Sequence, residues 1–206
     1  MWFFGNSKSL GFIFELVGLI MLITSVLYIT EGYAEVGISL PPTVSDVSSY
    51  CLLIGFGGLV ASIIYIVNAH RIMIGTVSKK VDVLSKYIVT VGITTFFASG
   101  AEYLASYLYD REPYDIWFII TLIVVCTIVV VVGRKIGNGK PSRFKNALRY
   151  ILMIAFIIML IDSLLPSDNY LNFCSDITHM IISIFMLLFL LDAEVKAELG
   201  GLVVND

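Results

Sequence analysis

The sequence predicts an all-α integral membrane protein: six transmembrane helices arranged as three consecutive hairpins, with both termini cytoplasmic. Three observations carry that expectation. Of 206 residues, 58% are hydrophobic and 14% charged, whereas globular chains carry about 25% charged residues. A soluble fold of this size needs more polar surface than that. The apolar residues gather in blocks of 17 to 23, long enough to cross about 30 Å of hydrocarbon at about 1.5 Å per residue. The lysines and arginines fall almost wholly in alternate connections, the pattern of chains that cross a membrane repeatedly.

The first helix is expected over 10–30. Its apolar stretch is too long for the core of a signal peptide, and no A-x-A-like site follows, so it reads as the first span. The second, over 50–69, carries Gly57-xxx-Ala61 and Gly58-xxx-Ser62, pairs of small residues that let backbones approach, within the bundle or between protomers. The third, over 87–109, has Ala101-xxx-Ala105 and a row of polar residues. The fourth, over 116–132, is almost wholly aliphatic and aromatic. The fifth and sixth are expected over 148–165 and 171–191. Beyond them 192–199 (DAEVKAEL) prolongs helix six, with Gly200 and Gly201 ending it. The whole chain, 1–206, is thus one six-helix domain with a short cytoplasmic tail from 192.

Orientation follows from the basic residues. Lys8, Arg71, Lys79, Lys80, Lys86, Arg134, Lys135, Lys140, Arg143, Lys145, Arg149 and Lys196 share one side, against Arg111 alone on the other. That bias places the first side in the cytoplasm and the chain in the cell (plasma) membrane. The outer connections are acidic, with Glu31, Glu35, Asp46, Asp110, Glu112, Asp115 and Asp168. Eight of eleven tyrosines, Tyr28 and Tyr50 among them, fall near the outer boundary, as an interfacial belt of amphipathic rings does. Segment 134–149 (RKIGNGKPSRFKNALR) has six bases and no acid, which suits contact with anionic lipid.

Several functions are excluded or disfavoured. A net charge of −3 argues against nucleic-acid binding. Three cysteines without a CxxC pattern argue against a zinc module or thiol pair, and no phosphate-cradling GxxxxGK[ST] or GxGxxG loop is present. No cofactor, metal or catalytic set is expected. An enzyme acting on lipid ranks behind the two readings below.

Ionisable groups inside a membrane span are costly and point to function. Glu102 is the foremost, seven residues before Tyr109 and so about 10 Å below the outer boundary. Thr95, Ser99, Glu102 and Ser106 follow i, i+4, i+7, i+11 and share one helix face. In helix six Asp176, His179 and Ser183 follow i, i+3, i+7. A histidine there suits proton coupling or pH sensing, because imidazole changes charge near neutral pH. Asp162 lies near the outer end of helix five, and Glu15 near the cytoplasmic end of helix one, within reach of a loop base.

Glu102, Asp162, Asp176 and His179 therefore all belong to the outer half, where convergence would create an acidic cavity that concentrates cations. The expectation is a small transporter or channel-like protein for a cation, proton or small solute, with Glu102 as its membrane-embedded carboxylate. The competing expectation is a non-transporting sensor or a subunit of a larger membrane complex. Its partners would be other membrane proteins or further copies of the chain.

Overall fold

A computed structural model describes residues 6–32, 34, 38, 40–77, 79–110, 116–138, 140–165 and 170–200. Among these, all regular structure is helical: α1 (Ser7–Ile29), α2 (Val47–Met73), α3 (Lys80–Tyr109), α4 (Ile116–Gly137), α5 (Arg143–Asp162), α6 (Tyr170–Leu191) and α7 (Ala193–Gly200). Six of them are long and apolar enough to cross a membrane. Glu35, Arg111, Glu112, Asp115 and Asp168 lie outside the described residues. The end of the bundle where lysine and arginine gather is called the basic end below, and the opposite one the acidic end.

Helix starts follow local chemistry. The first turns leave backbone N–H groups without helical partners, and short polar side chains satisfy them. Lys8 N donates to Asn6 Oδ1 at 3.0 Å at the head of α1, Ser49 N to Asp46 Oδ1 at 3.1 Å at α2, and Lys145 N to Ser142 Oγ at 3.2 Å at α5. Helix α2 stops at Gly75, whose φ of 83° suits a residue without Cβ. The reversal closes with Gly75 N donating to Ile72 O and Thr76 N to Arg71 O, both at 3.0 Å.

Helices α1 to α4 pack each on the next, while the α5–α6 pair joins through α6 lying on α1. The small residues of α2 serve the bundle itself. A Cβ on Gly57 would meet Phe97 O of α3 at 2.9 Å, and one on Gly58 would meet Ser25 Oγ of α1 at 2.5 Å. Close backbone approach is the main source of helix association where lipid is as apolar as the protein. The outward faces carry Phe56, Ile63, Trp117, Ile154 and Ile158, each about half exposed or more, an apolar surface that water-soluble monomers rarely present.

The two halves of the bundle differ. Towards the basic end Phe14, Tyr65 and Tyr87 form the centre of a solid core completed by Leu84, Ile182, Phe185 and Phe189. The ring centroids of Phe14 and Tyr87 are 4.5 Å apart, and those of Phe14 and Tyr65 5.4 Å. Tyr65 donates its hydroxyl hydrogen to Tyr87, and Tyr87 donates to Met159 Sδ at 3.8 Å. The buried phenols thus have partners, as groups shielded from water require.

Two elements differ from the sequence expectation. Helix α3 begins at Lys80 rather than 87, because Val81, Val83 and Leu84 are core residues although charges interrupt the apolar run around them. The segment after 191 does not prolong α6. The helix breaks at Asp192, whose Oδ1 accepts from Glu194 N at 2.9 Å, and α7 folds back so that Val195 and Leu199 are fully buried. Two bases of the 134–149 segment also turn inward: Lys145 Nζ donates to Ile136 O at 3.3 Å at the end of α4, and Arg149 lies over the Tyr150 ring.

The break is held by an ion pair between Lys80 Nζ and Asp192 Oδ2, 2.5 Å apart. The hydrogen bond from Lys80 is the main reason the Asp192 carboxyl sits below its usual pKa. The sign follows. A carboxyl whose pKa falls on folding stabilises the fold above its unfolded pKa of about 3.9, and loses that contribution as pH drops through the lowered native value. Partly exposed pairs are worth under about 1 kcal/mol. Asp192→Asn should therefore lower stability slightly at pH 7, with the gap to wild type closing below about pH 4, measured by thermal unfolding across pH.

Candidate functional site: a polar cavity at the acidic end

Where the aromatic core ends, α1, α2, α3 and α6 part to leave a cavity of about 460 Å³. Thr24, Ser25 and Tyr28 reach it from α1, Tyr50 from α2, Glu102 from α3 and Ser175 from α6, with Leu40 and Pro41 of the α1–α2 connection also on its wall. The Glu102 side chain is exposed and, among the described residues, carries the one carboxylate on that wall. Both phenols lie close enough for its charge to act on them. Thr24 and Ser25 donate to their own helix at Ile20 O (2.9 Å) and Met21 O (2.6 Å). Their oxygens keep lone pairs free to accept from a guest.

The polar stripe of α3 does not act as a unit. Ser106 donates to the Tyr50 hydroxyl oxygen beside the cavity. Ser99 is half-buried and lies off the cavity wall, and Thr95 is exposed among Phe96 and Phe97. The α5–α6 hairpin gathers a second set of groups. His179 is half-buried, with Asp176 of its own helix and Asp162 at the end of α5 near enough for their charges to act on the ring. Its Nδ1 is 3.2 Å from Ser175 Oγ. Ser175 therefore belongs to both places: it touches the histidine and lines the same cavity as Glu102. Of the four expected ionisable residues, Asp162, Asp176 and His179 lie near one another, whereas Glu102 lines the cavity and those three do not.

Sequence reasoning passed over Ser175, Thr24 and Ser25 and assigned Tyr28 and Tyr50 to the interfacial belt. A signal existed in α1, where Thr24 and Tyr28 are four apart and so on one face. The other members come from different helices, and no spacing reports them.

Among the described residues, no three His, Cys, Asp or Glu side chains come together as a metal site. Cys51 and Cys174, both at the acidic end, are not disulfide-bonded, the first being buried and the second exposed. Glu15 finds its partner in the last turn of α2 rather than in a loop, with Oε1 at 3.6 Å from His70 Nδ1. No protein-family model, no curated protein and no solved structure matches the chain.

Proposed function

We propose that the chain is a small membrane transporter or channel-like protein that moves a cation, a proton or a small solute, with Glu102 as the binding carboxylate. One observation carries the reading: Glu102 faces a polar cavity at the acidic end, while the basic half below it is packed with aromatic side chains. A carboxylate in a span is costly unless it meets water, a cation or a proton, and this cavity supplies the room. The phenol of Tyr28, the hydroxyl of Ser175 and the carboxylate offer oxygen donors suited to a cation losing its water. Ser175 connects the cavity to His179, which would carry charge between Glu102 and the Asp162–Asp176 pair. With the basic end in the cytoplasm, as its lysines and arginines favour, the cavity faces outward and the aromatic core closes the inner side.

The test is flux into proteoliposomes of the purified chain, followed with a fluorescent pH probe across a series of cations. Wild type should exceed empty liposomes, and Glu102→Gln should lose at least about tenfold, since the substitution keeps the shape and removes the charge. Wild-type flux equal to that of empty liposomes would overturn ion and proton transport.

A second reading, an assembly or sensor subunit, draws on α4. Only 11% of its most apolar window is buried, so nearly all its surface is offered to lipid or to another membrane protein. Co-purification of a stoichiometric partner in mild detergent, with no flux from the isolated chain, would favour it.

A further inference from the structure

The groove between α3 and α4 joins a basic cup to an apolar trough, and Arg134 belongs to both. At the basic end a cavity of about 540 Å³ is lined by Lys79, Lys86 and Arg134 against one carboxylate, Asp82, with Ser85 and Asn138 beside them. Among the described residues none of the three cations forms an ion pair with a carboxylate, so the cup keeps a positive excess. Farther along the same pair of helices lies a second cavity of about 490 Å³, lined by Ile93, Phe96, Ile123, Thr127, Val131 and again Arg134. The spacing makes the two continuous. On α3, Lys86, Val89 and Ile93 follow i, i+3, i+7. On α4, Ile123, Thr127, Val131 and Arg134 follow i, i+4, i+8, i+11. Each set lies along one helix face.

We infer that this groove is a binding site for an acidic phospholipid, the phosphate head held by Lys79, Lys86 and Arg134 and an acyl chain lying along the Ile93–Ile123 trough. The cup alone would suit any phosphate. The trough decides for lipid, because it runs from the cations into the span and offers almost nothing polar, which a soluble phosphate could not use. Basic pockets between membrane helices recognise anionic headgroups through charge, with the acyl chain fixing position. The two helices framing the groove are held close by Gly92 and Gly133. A Cβ on Gly133 would meet Val89 N at 3.0 Å, and Ser85 donates to Gly133 O at 2.7 Å, so the groove is walled by two helices in close backbone contact. This site is separate from the Glu102 cavity and stands whether or not the chain transports anything.

The test is native mass spectrometry of the full chain in detergent, titrated with palmitoyl-oleoyl phosphatidylglycerol, the corresponding phosphatidylcholine, and glycerol 3-phosphate. One phosphatidylglycerol should bind and persist at activation energies that strip phosphatidylcholine. Lys79→Gln/Lys86→Gln/Arg134→Gln should weaken it by about tenfold or more, as loss of three near-surface cations implies. Thr127→Trp, which fills the trough and leaves every cation in place, should weaken phosphatidylglycerol as well. Lys196→Gln, which removes a base on α7 outside both the cup and the 134–149 segment, should leave the retention of both lipids unchanged. Equal retention of the two lipids would overturn the inference, as would glycerol 3-phosphate competing as well as the lipid, which would mark a soluble-phosphate site. Should the triple variant fail to fold, Thr127→Trp alone decides: unchanged lipid binding would refute the acyl trough.

Discussion

Gly11→Leu is expected to force α1 and α2 apart near the basic end and to lower stability by about 3 kcal/mol or more, at the upper end of what overpacking costs. The reason lies in what a side chain would meet. A Cβ at position 11 would come within 2.5 Å of Met73 N, 2.8 Å of Met73 Cα and 3.0 Å of the Ile72 carbonyl carbon. All three are backbone atoms of α2, so no rotamer change relieves the overlap, and the helices themselves must separate. Leu10, Phe14 and Ile72 are fully buried around that crossing, and their contacts would loosen together. Gly100 provides the contrast, since a Cβ there meets nothing within 4 Å. Gly100→Ala should cost nothing and gain up to about 1 kcal/mol from helix propensity. Unfolding in bicelles by titrated denaturing detergent, read by circular dichroism, checks both. An unchanged midpoint for Gly11→Leu would mean that α1 and α2 do not cross where the structure has them.

The six long apolar helices were legible in the sequence because a long apolar run is a local signal, the one that crossing hydrocarbon would demand of each of them. Legibility failed where a different solvent or a distant partner sets the outcome. Around Lys79–Lys86 the charges lower local hydropathy, although Val81, Val83 and Leu84 alternate with them on a buried face; the helix continues because packing, not lipid, selects those residues. The break after α6 depends on Lys80, which pairs with Asp192 from 112 positions away. In the candidate site the distance of Glu102 from the end of α3 at Tyr109 could be read, since helical rise is fixed. That Glu102 would line the same cavity as Ser175 could not, because adjacency of α3 and α6 is a tertiary fact. Tyr28 and Tyr50 show a further ambiguity: a tyrosine near the bilayer boundary satisfies the belt preference and the cavity wall equally, and only the fold separates the two.

Phe14→Ala tests the plug beneath the cavity. In water, truncating a buried phenylalanine costs about 3–5 kcal/mol, the sum of a transfer term and a cavity term. In a bilayer the separated helices still rest in hydrocarbon, so most of the transfer term vanishes and the lost dispersion contacts remain. The expected cost is therefore about 1–3 kcal/mol, below that of Gly11→Leu. The second effect is on permeation. Phe14 packs at a tilt against both rings of the Tyr65–Tyr87 hydrogen-bonded pair, and its removal leaves a gap beside two hydroxyls, a void polar enough to admit water. If the Glu102 cavity is the outer half of a pathway, that gap shortens the packed stretch below it, and Phe14→Ala should leak protons or cations at least about tenfold faster than wild type, a change in barrier of about 1.4 kcal/mol. Phe14→Leu, which keeps most of the volume, should leak little. Phe14→Ala/Glu102→Gln should leak less than Phe14→Ala if the ions pass the carboxylate. A loss of stability without any leak would separate the two roles: the aromatic cluster would be core alone, and a route from the cavity to the basic end would have to run between other helices.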